Sequence, residues 1–474
     1  MIYYSNCIDV YGDTIALITE DSENISYREL SLKADDFKRH VRKRSLAFCI
    51  CNDNVESITG YIGFLRGRIV PILINAGIGN ELLQNLLHAY LPQYIWLPES
   101  MGEDFSDCEQ IYHYRNYVLL KTSFTASYSL HDDLALLLTT SGSTGSPKLV
   151  RQSYKNIICN ANSIAEYLCI TPADRSITTM PMSYSYGLSI INSYLLKGAS
   201  ICLTNKTLME RKFWQLLNEH KITSFGGVPY IYEMLKKLRF TRMELPSLRT
   251  LTQAGGKLGA ELSAEFATIC RDKGIRFFVM YGQTEATARM SYLPSEYAIS
   301  KAGSIGIAIP GGKFWIEDKK GNIVTQSNTA GELVYKGDNV TMGYAQDCND
   351  LCKGDENNGM LKTGDIAKRD DDGFYYIVGR RKRFLKLFGN RVNLDEVEIL
   401  LKTAGYECAC AGSDDNMIIF VTSQNNHEGI KGYIMENMGI SKAGFNVVHI
   451  PEIQRNDSGK VLYSALSCSG GVIV

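Results

Sequence analysis

From Ile15 to about Met280 the chain alternates two kinds of hydrophobic pattern. Short uninterrupted apolar runs at 46–51 (Leu-Ala-Phe-Cys-Ile-Cys), 69–74 and 134–138 have the length of strands buried on both faces. Between the first two, residues 55–64 space their apolar side chains at helical intervals. A helix is predicted to start after Ser153, a good N-cap, with Ile157, Ile158, Ala161, Ile164, Ala165 and Leu168 on one face. The same alternation returns at 201–203, 213–220 and 277–280. Strand and helix in turn predict a layered α/β fold with largely parallel sheets.

After about residue 303 the pattern changes. Gly311-Gly312, Asp318-Lys-Lys-Gly321 and Asp371-Asp-Gly373 punctuate short strands at 331–336 and 374–378, which predicts a smaller, more antiparallel β region. Four consecutive cations, Arg380-Arg-Lys-Arg383, follow Gly379 and are expected to form a solvated joint. Beyond them Asn393 can cap a helix with Glu396 at its third position and Leu394, Val397, Leu400 and Leu401 on its apolar face. The expected organisation is a large domain over 1–379 and a small α+β domain over 380–474.

Composition narrows the classes. The chain has 474 residues, 45% hydrophobic and 21% charged, which excludes disorder as its main state. Fifty Lys+Arg against 51 Asp+Glu gives no cationic surplus to point to nucleic acid. The charge-free stretch 176–196 is long enough to span a bilayer, yet Thr178, Thr179, Pro181, Ser183, Tyr184, Ser185, Gly187 and Asn192 make it too polar; it reads as buried interior. The first residues lack a basic segment followed by an apolar one, so no membrane partner and a cytoplasmic location are expected. Thirteen cysteines lie scattered, without C-x-x-C spacing, as reduced thiols would. Absence of H-E-x-x-H and of G-x-S-x-G leaves a zinc enzyme or a serine hydrolase without support.

Four segments have the make-up of a chemical site. Residues 139–148 read Thr-Thr-Ser-Gly-Ser-Thr-Gly-Ser-Pro-Lys directly after an apolar strand: a plain connector, or a cradle of backbone N–H groups, hydroxyls and a lysine for polyphosphate. Tyr281-Gly-Gln-Thr-Glu285 follows another strand and is a polar turn or a place for a Mg2+ ligand. Lys362-Thr-Gly-Asp365 is a β-turn or a grip on a ribose diol. Asn456-Asp-Ser-Gly-Lys460 is a hairpin tip or a presented lysine.

Taken in order, these segments resemble the adenylate-forming superfamily of acyl- and aryl-CoA synthetases, peptide-synthetase adenylation domains and firefly-type luciferases. The Ser/Thr/Gly loop ending at Lys148 resembles its phosphate loop, Tyr281–Glu285 its Y-G-x-T-E motif and Thr363-Gly-Asp365 its T-G-D. Gly379-Arg380 with Lys386, Gly389 and Arg391-Val392 is similar to its hinge segment, and Gly459-Lys460 to its terminal G-K. The resemblance runs over roughly residues 130 to 463.

It implies ATP-dependent conversion of a small-molecule carboxylic acid to an acyl-adenylate with release of pyrophosphate, then thioester formation. By position, Thr140, Ser141, Gly142, Ser143, Thr144, Gly145 and Lys148 would contact the phosphates. Gly255, Gly256 and Tyr281 would frame the adenine, Thr284 would bind the α-phosphate and Glu285 the magnesium. Asp365 and Arg380 would hold the ribose, with Lys386 from the same segment also at the nucleotide. Lys460 would touch both the carboxylate and the α-phosphate, and Lys382 would be the hinge about which a mobile small domain turns. The substrate-side motif, often P-x-F-H, reads Pro181-Met-Ser-Tyr184, so Tyr184 would act as an aromatic gate.

Tyr184, Tyr186, Gly226, Gly227, Val228 and Met280 would line the acid pocket, though Val228 and Met280 equally suit core packing. No acidic residue lies between Thr178 and Leu196 to pair an α-ammonium, so an acyl or aryl acid is expected ahead of an amino acid. CoA is the expected acceptor, with an acyl carrier protein as the alternative. An acid-binding protein without turnover and a luciferase-like oxidase are the remaining rivals; intact Lys148, Glu285 and Lys460 argue against the first.

Overall fold

The computed structural model describes residues 4–125, 128–139, 148–380, 383–387, 390–413, 416–423, 427–438, 440, 442–456 and 459–466. Packing divides the chain into two compact units, Met1–Lys313 with Tyr335–Leu361 and Phe314–Val334 with Lys362–Val474.

The first unit holds two large sheets. One has eight strands, with Leu134–Thr139, Val70–Asn75, Leu46–Cys51 and Tyr94–Pro98 parallel at its centre and antiparallel strands at both margins. The other has nine, with Arg276–Tyr281, Thr250–Gln253, Ser224–Gly227, Arg175–Ile177, Ser200–Cys202 and Ile15–Ile18 in parallel succession. The strand Leu46–Cys51 shows why the layers stack. Side chains alternate across a strand. Leu46, Phe48 and Ile50 pack with Leu83, Leu86 and Tyr90 of the helix Asn80–Tyr90, while Ala47, Cys49 and Cys51 share a core with Val55, Ile58 and Ile62 of the helix Val55–Gly67. Both faces are apolar because both are covered.

Predicted and observed elements agree to within a few residues. The run at 69–74 forms Val70–Asn75, the run at 134–138 forms Leu134–Thr139, and the helix at 55–64 extends to Gly67. Ser153 caps the helix Tyr154–Tyr167: its hydroxyl accepts from the Asn156 N–H, and Asn156 Oδ1 accepts from the Ser153 N–H. The polar stretch 176–196 ends in the helix Ser185–Leu196, every residue of which is buried. Its polar groups are satisfied there. Ser189 and Ser193 hydroxyls donate to carbonyls one turn back, and Asn192 Oδ1 accepts from Tyr61 at 3.0 Å. No helix among the described residues is long and apolar enough to cross a membrane.

The second unit contains most of the four-stranded sheet Lys313–Glu317, Gly331–Lys336, Met360–Arg369 and Tyr375–Arg380. It continues into the hairpin Phe384–Leu387/Asn390–Asn393 and the three strands Cys408–Ser413, Asn416–Val421 and Phe445–His449. Val397 and Leu401 of the helix Leu394–Thr403 and Ile430 and Ile434 of the helix His427–Met438 close its core. Arg383 departs from the expected solvated joint. It donates to Asp395, to Glu398 at 2.7 Å, to the Tyr463 phenol at 2.8 Å and to the Cys410 carbonyl, with its side chain only 18% exposed. One buried and one partly buried carboxylate, Glu398 and Asp395, recruit the cation that local charge counting assigned to solvent.

Candidate active site

The strand Arg276–Tyr281 delivers Tyr281 to a tightly folded loop. Gly282 is required there by contact: a Cβ would lie 1.6 Å from the Ala288 carbonyl oxygen. The loop then forms the short turn Thr284–Ala286 and passes through left-handed Thr287 (φ 53°). Partners from distant segments hold this backbone. Asn339 Nδ2 donates to the carbonyls of Ala286 and Arg289 at 2.8 and 2.9 Å, and Thr341 donates to the Glu285 carbonyl through both N–H and hydroxyl at 3.0 Å. Asn156, one half of the helix cap, fixes that partner segment by donating to the carbonyls of Asp338 and Val340. A local sequence signal, the cap, thereby positions the loop that carries Glu285.

Lys148, Tyr344 and Glu285 form one chain of contacts. The Tyr344 phenol donates to Glu285 Oε1 at 2.7 Å, and the Lys148 ammonium lies 3.5 Å from the centre of the Tyr344 ring. Burial, with Glu285 next in effect, raises the Tyr344 pKa well above the usual phenol range, so the phenol remains a donor. Thr284 Oγ1 lies 3.3 Å from Ser185 Oγ, at the start of the buried helix. Among the described residues no group of three or more His, Cys, Asp or Glu side chains could cage a metal. A divalent cation at Glu285 would therefore take its other ligands from water and phosphate oxygens, the mode that suits Mg2+.

The residues expected to line the acid pocket converge from several strands and one helix. Gly255, with φ +84°, leaves room that a Cβ would fill, at 2.8 Å from the Tyr184 phenol oxygen and 2.9 Å from Val228. At Gly226 a Cβ would come 2.6 Å from the Tyr186 oxygen, which is 2.9 Å from Thr252 Oγ1. The Tyr184 and Tyr186 rings meet edge to face at 6.5 Å. Gly227 faces the opposite side of its strand, toward Ile231, as alternation requires. Gly256 abuts Pro229, and Gln253 Nε2 staples this turn by donating to the Gly256 carbonyl. Val228 and Met280 are both buried in the main core.

In the second unit Asp365 and Arg380 engage each other at 3.0 Å, with Asp365 buried and Arg380 exposed. Gly364 takes φ +72°, and Thr363 Oγ1 accepts from the Asp365 N–H. Lys460 follows a tight turn in which its N–H donates to Asn456 Oδ1 and its carbonyl accepts from the Asn456 N–H. Lys386 lies on the strand Phe384–Leu387, opposite Arg391; its side chain is outside the described residues. So are Thr140, Ser141, Gly142, Ser143, Thr144, Gly145 and Lys382.

Three residues of this region carried no motif. Tyr344 is 59 residues from Glu285 in sequence. Asp53 reaches the Pro181–Tyr184 segment from afar, its Oδ1 accepting from the Met182 N–H at 3.0 Å, so a carboxylate does stand beside a stretch that has none of its own. Arg289 is buried, 2% exposed, with its guanidinium over the Tyr186 ring at 4.7 Å and donating to the Tyr167 phenol and the Met280 sulfur. The one signal for it was a lone cation in the otherwise uncharged stretch from Ala286 to Leu293.

Comparison with known proteins agrees with this geometry. The family model described as AMP-binding enzyme matches residues 5–345. A 2-succinylbenzoate–CoA ligase of Bacillus velezensis is 30% identical over 351 residues, covering 72% of this chain and 70% of that protein. The Bacillus subtilis enzyme of the same name is 28% identical over 85% of this chain and 83% of its own. Among solved structures, O-succinylbenzoate coenzyme A synthetase (MenE) from Bacillus subtilis with ATP and magnesium ion shares the fold at TM-score 0.79, with 24% identity and 98% of each chain covered. The chain belongs to the AMP-binding, adenylate-forming enzymes, and is an AMP-forming acid–thiol ligase that activates a carboxylate with ATP.

Proposed function

We propose that this chain activates an aryl or medium-sized acyl acid and transfers it to CoA, with 2-succinylbenzoate, the acid named in its relatives, as the first substrate to test. The observation that carries this reading is the convergence of Tyr184, Tyr186, Gly226, Gly255 and Val228 into one apolar, phenol-lined wall. Such a wall suits an aromatic or acyl body.

In the first half-reaction a carboxylate oxygen of the acid attacks the α-phosphorus of ATP, and the bond to the departing pyrophosphate breaks. Both reactants are anionic, so positive charge fixed in place beforehand lowers the barrier. Lys148 and the loop 140–145 hold the β- and γ-phosphates, Thr284 the α-phosphate, Gly255, Gly256 and Tyr281 the adenine, and Asp365, Arg380 and Lys386 the ribose side of the nucleotide. A magnesium ion at Glu285 would supply further neutralisation of the phosphate oxygens. Lys460 bridges the carboxylate and the α-phosphate. In the second half-reaction the CoA sulfur attacks the acyl carbon, AMP leaves with the bonding pair, and the thiol proton is released to solvent. Rotation of residues 380–474 about Lys382 withdraws Lys460 and admits the thiol. None of the twelve described cysteines forms a disulfide, which supports a cytoplasmic setting.

Carboxylate-dependent ATP–pyrophosphate exchange tests the first half-reaction, with Lys460→Ala alongside. Exchange in the wild type and its loss in the variant are expected. Silence across a broad acid panel would overturn the reading. Supplying CoA, and separately a phosphopantetheinylated carrier protein, then decides the acceptor.

A further inference from the structure

Arg289 sits at the base of the phenol-lined wall with its charge unanswered. Its Nη1 donates to the Tyr167 phenol at 3.1 Å and to the Met280 sulfur at 2.7 Å, while its Nε is buried with no hydrogen-bond partner. Among the described residues no carboxylate pairs with it. A guanidinium carries five N–H donors in a planar fork matched to a carboxylate, and a thioether is a weak acceptor. Burying such a cation without a counter-ion is costly, and a single cation–π contact with Tyr186 offsets part of that cost only. The backbone is pinned in place as well, because Asn160 and Asn339 both donate to the Arg289 carbonyl at 2.9 Å. A rigidly held, desolvated, unpaired guanidinium beside a ligand wall has the form of an anion receptor.

We propose that Arg289 receives a second carboxylate of the acid, remote from the one that is adenylated, and so selects dicarboxylic over monocarboxylic substrates. The inference rests on the acid-pocket reading above. Tyr184 and Tyr186 hold the body of the substrate, and Arg289 fixes the end remote from the reacting carboxylate through a bidentate pair. A monoacid of the same body would forgo that ion pair and bind more weakly than the diacid.

The test is ATP–pyrophosphate exchange by the full-length protein with 2-succinylbenzoate and with the two monoacids made by removing either carboxylate, beside a panel of other aryl and α,ω-dicarboxylic acids. Wild type is expected to favour diacids by at least about tenfold in kcat/KM over matched monoacids. Arg289→Gln should raise the diacid KM by at least about 30-fold and leave the monoacid KM within about threefold, and Arg289→Lys should restore part of the discrimination. Equal use of monoacids by wild type overturns the proposal, as does a variant that weakens all acids alike, the mark of a brace for Tyr186. Should Arg289→Gln fail to fold, wild-type discrimination and Arg289→Lys decide the matter alone. Wild-type silence with every acid removes the acid-pocket reading and this proposal together; exchange with monoacids only removes this proposal and leaves that reading standing.

Discussion

The Tyr344 phenol donates to Glu285 Oε1 at 2.7 Å, and the same ring carries the Lys148 ammonium on its face. One side chain thus orients the carboxylate proposed for magnesium and seats the cation proposed for the phosphates. Tyr344→Phe keeps the ring and removes only the donor. A hydrogen bond to a charged group contributes about 1.5–3 kcal/mol, so exchange activity should fall about 10- to 100-fold, with a higher magnesium requirement. Tyr344→Leu, which also removes the face under Lys148, should fall further. A magnesium titration of pyrophosphate release reads both; wild-type behaviour in Tyr344→Phe refutes the role.

Two glycines, one in each unit, are favoured for different reasons, and alanine separates them. At Gly282 a Cβ would collide with a backbone carbonyl at 1.6 Å, so Gly282→Ala should cost about 3 kcal/mol or more and abolish exchange. At Gly364 no atom lies within 4 Å of the added carbon, and only the left-handed φ of +72° opposes it. Gly364→Ala should cost about 1–2 kcal/mol and leave a folded protein. Denaturant midpoints distinguish the two.

Asp53 makes stability depend on pH. Desolvation raises its pKa from 3.8 to about 7, against the lowering effect of the Met182 N–H. The folded state therefore holds this proton after the unfolded chain has lost it. Stability falls as pH rises from about 4 to about 7, and the penalty is complete above that window. Asp53→Asn should flatten this part of the curve of unfolding free energy against pH. An unchanged slope would show that Asp53 is already ionised in the fold.

Arg383 neutralises Glu398, whose side chain is only 7% exposed, and also engages Asp395 and Tyr463. Arg383→Met leaves that buried carboxylate with Lys402, 4.0 Å away, as its remaining cation, and a loss toward the lower end of about 3–5 kcal/mol is expected. Limited proteolysis should cut the variant after residue 380 well before wild type. Equal cutting would place Arg383 among replaceable surface cations.

Much of the fold was legible because its signals are short. The run 46–51 became Leu46–Cys51 without a change of bounds, since an apolar stretch of that length suits a strand covered on both sides. Ser153 marked a helix start through a bond only three residues long. Residues of the Tyr281–Glu285 motif and Lys148 stood out because each comes shortly after a strand in a segment of unusual make-up. Arg383 was misjudged from the same kind of local reading: a run of cations says nothing of the carboxylates that wait 12 and 15 residues on.

The amino-acid order by itself determined the alternating elements, their caps, the sequence of motifs and the class of chemistry. All of these are written in residues within a few positions of one another, where backbone geometry and side-chain periodicity decide. Only the tertiary structure set Tyr344 against Glu285, Asp53 under Met182 and Arg289 between Tyr167 and Tyr186, across separations of 59, 129 and 122 residues for the first, the second and the Tyr167 pairing. These pairings come from how the two sheets and the helices between them pack. The electrostatics of the site, including a buried cation without its anion, belongs to that packing.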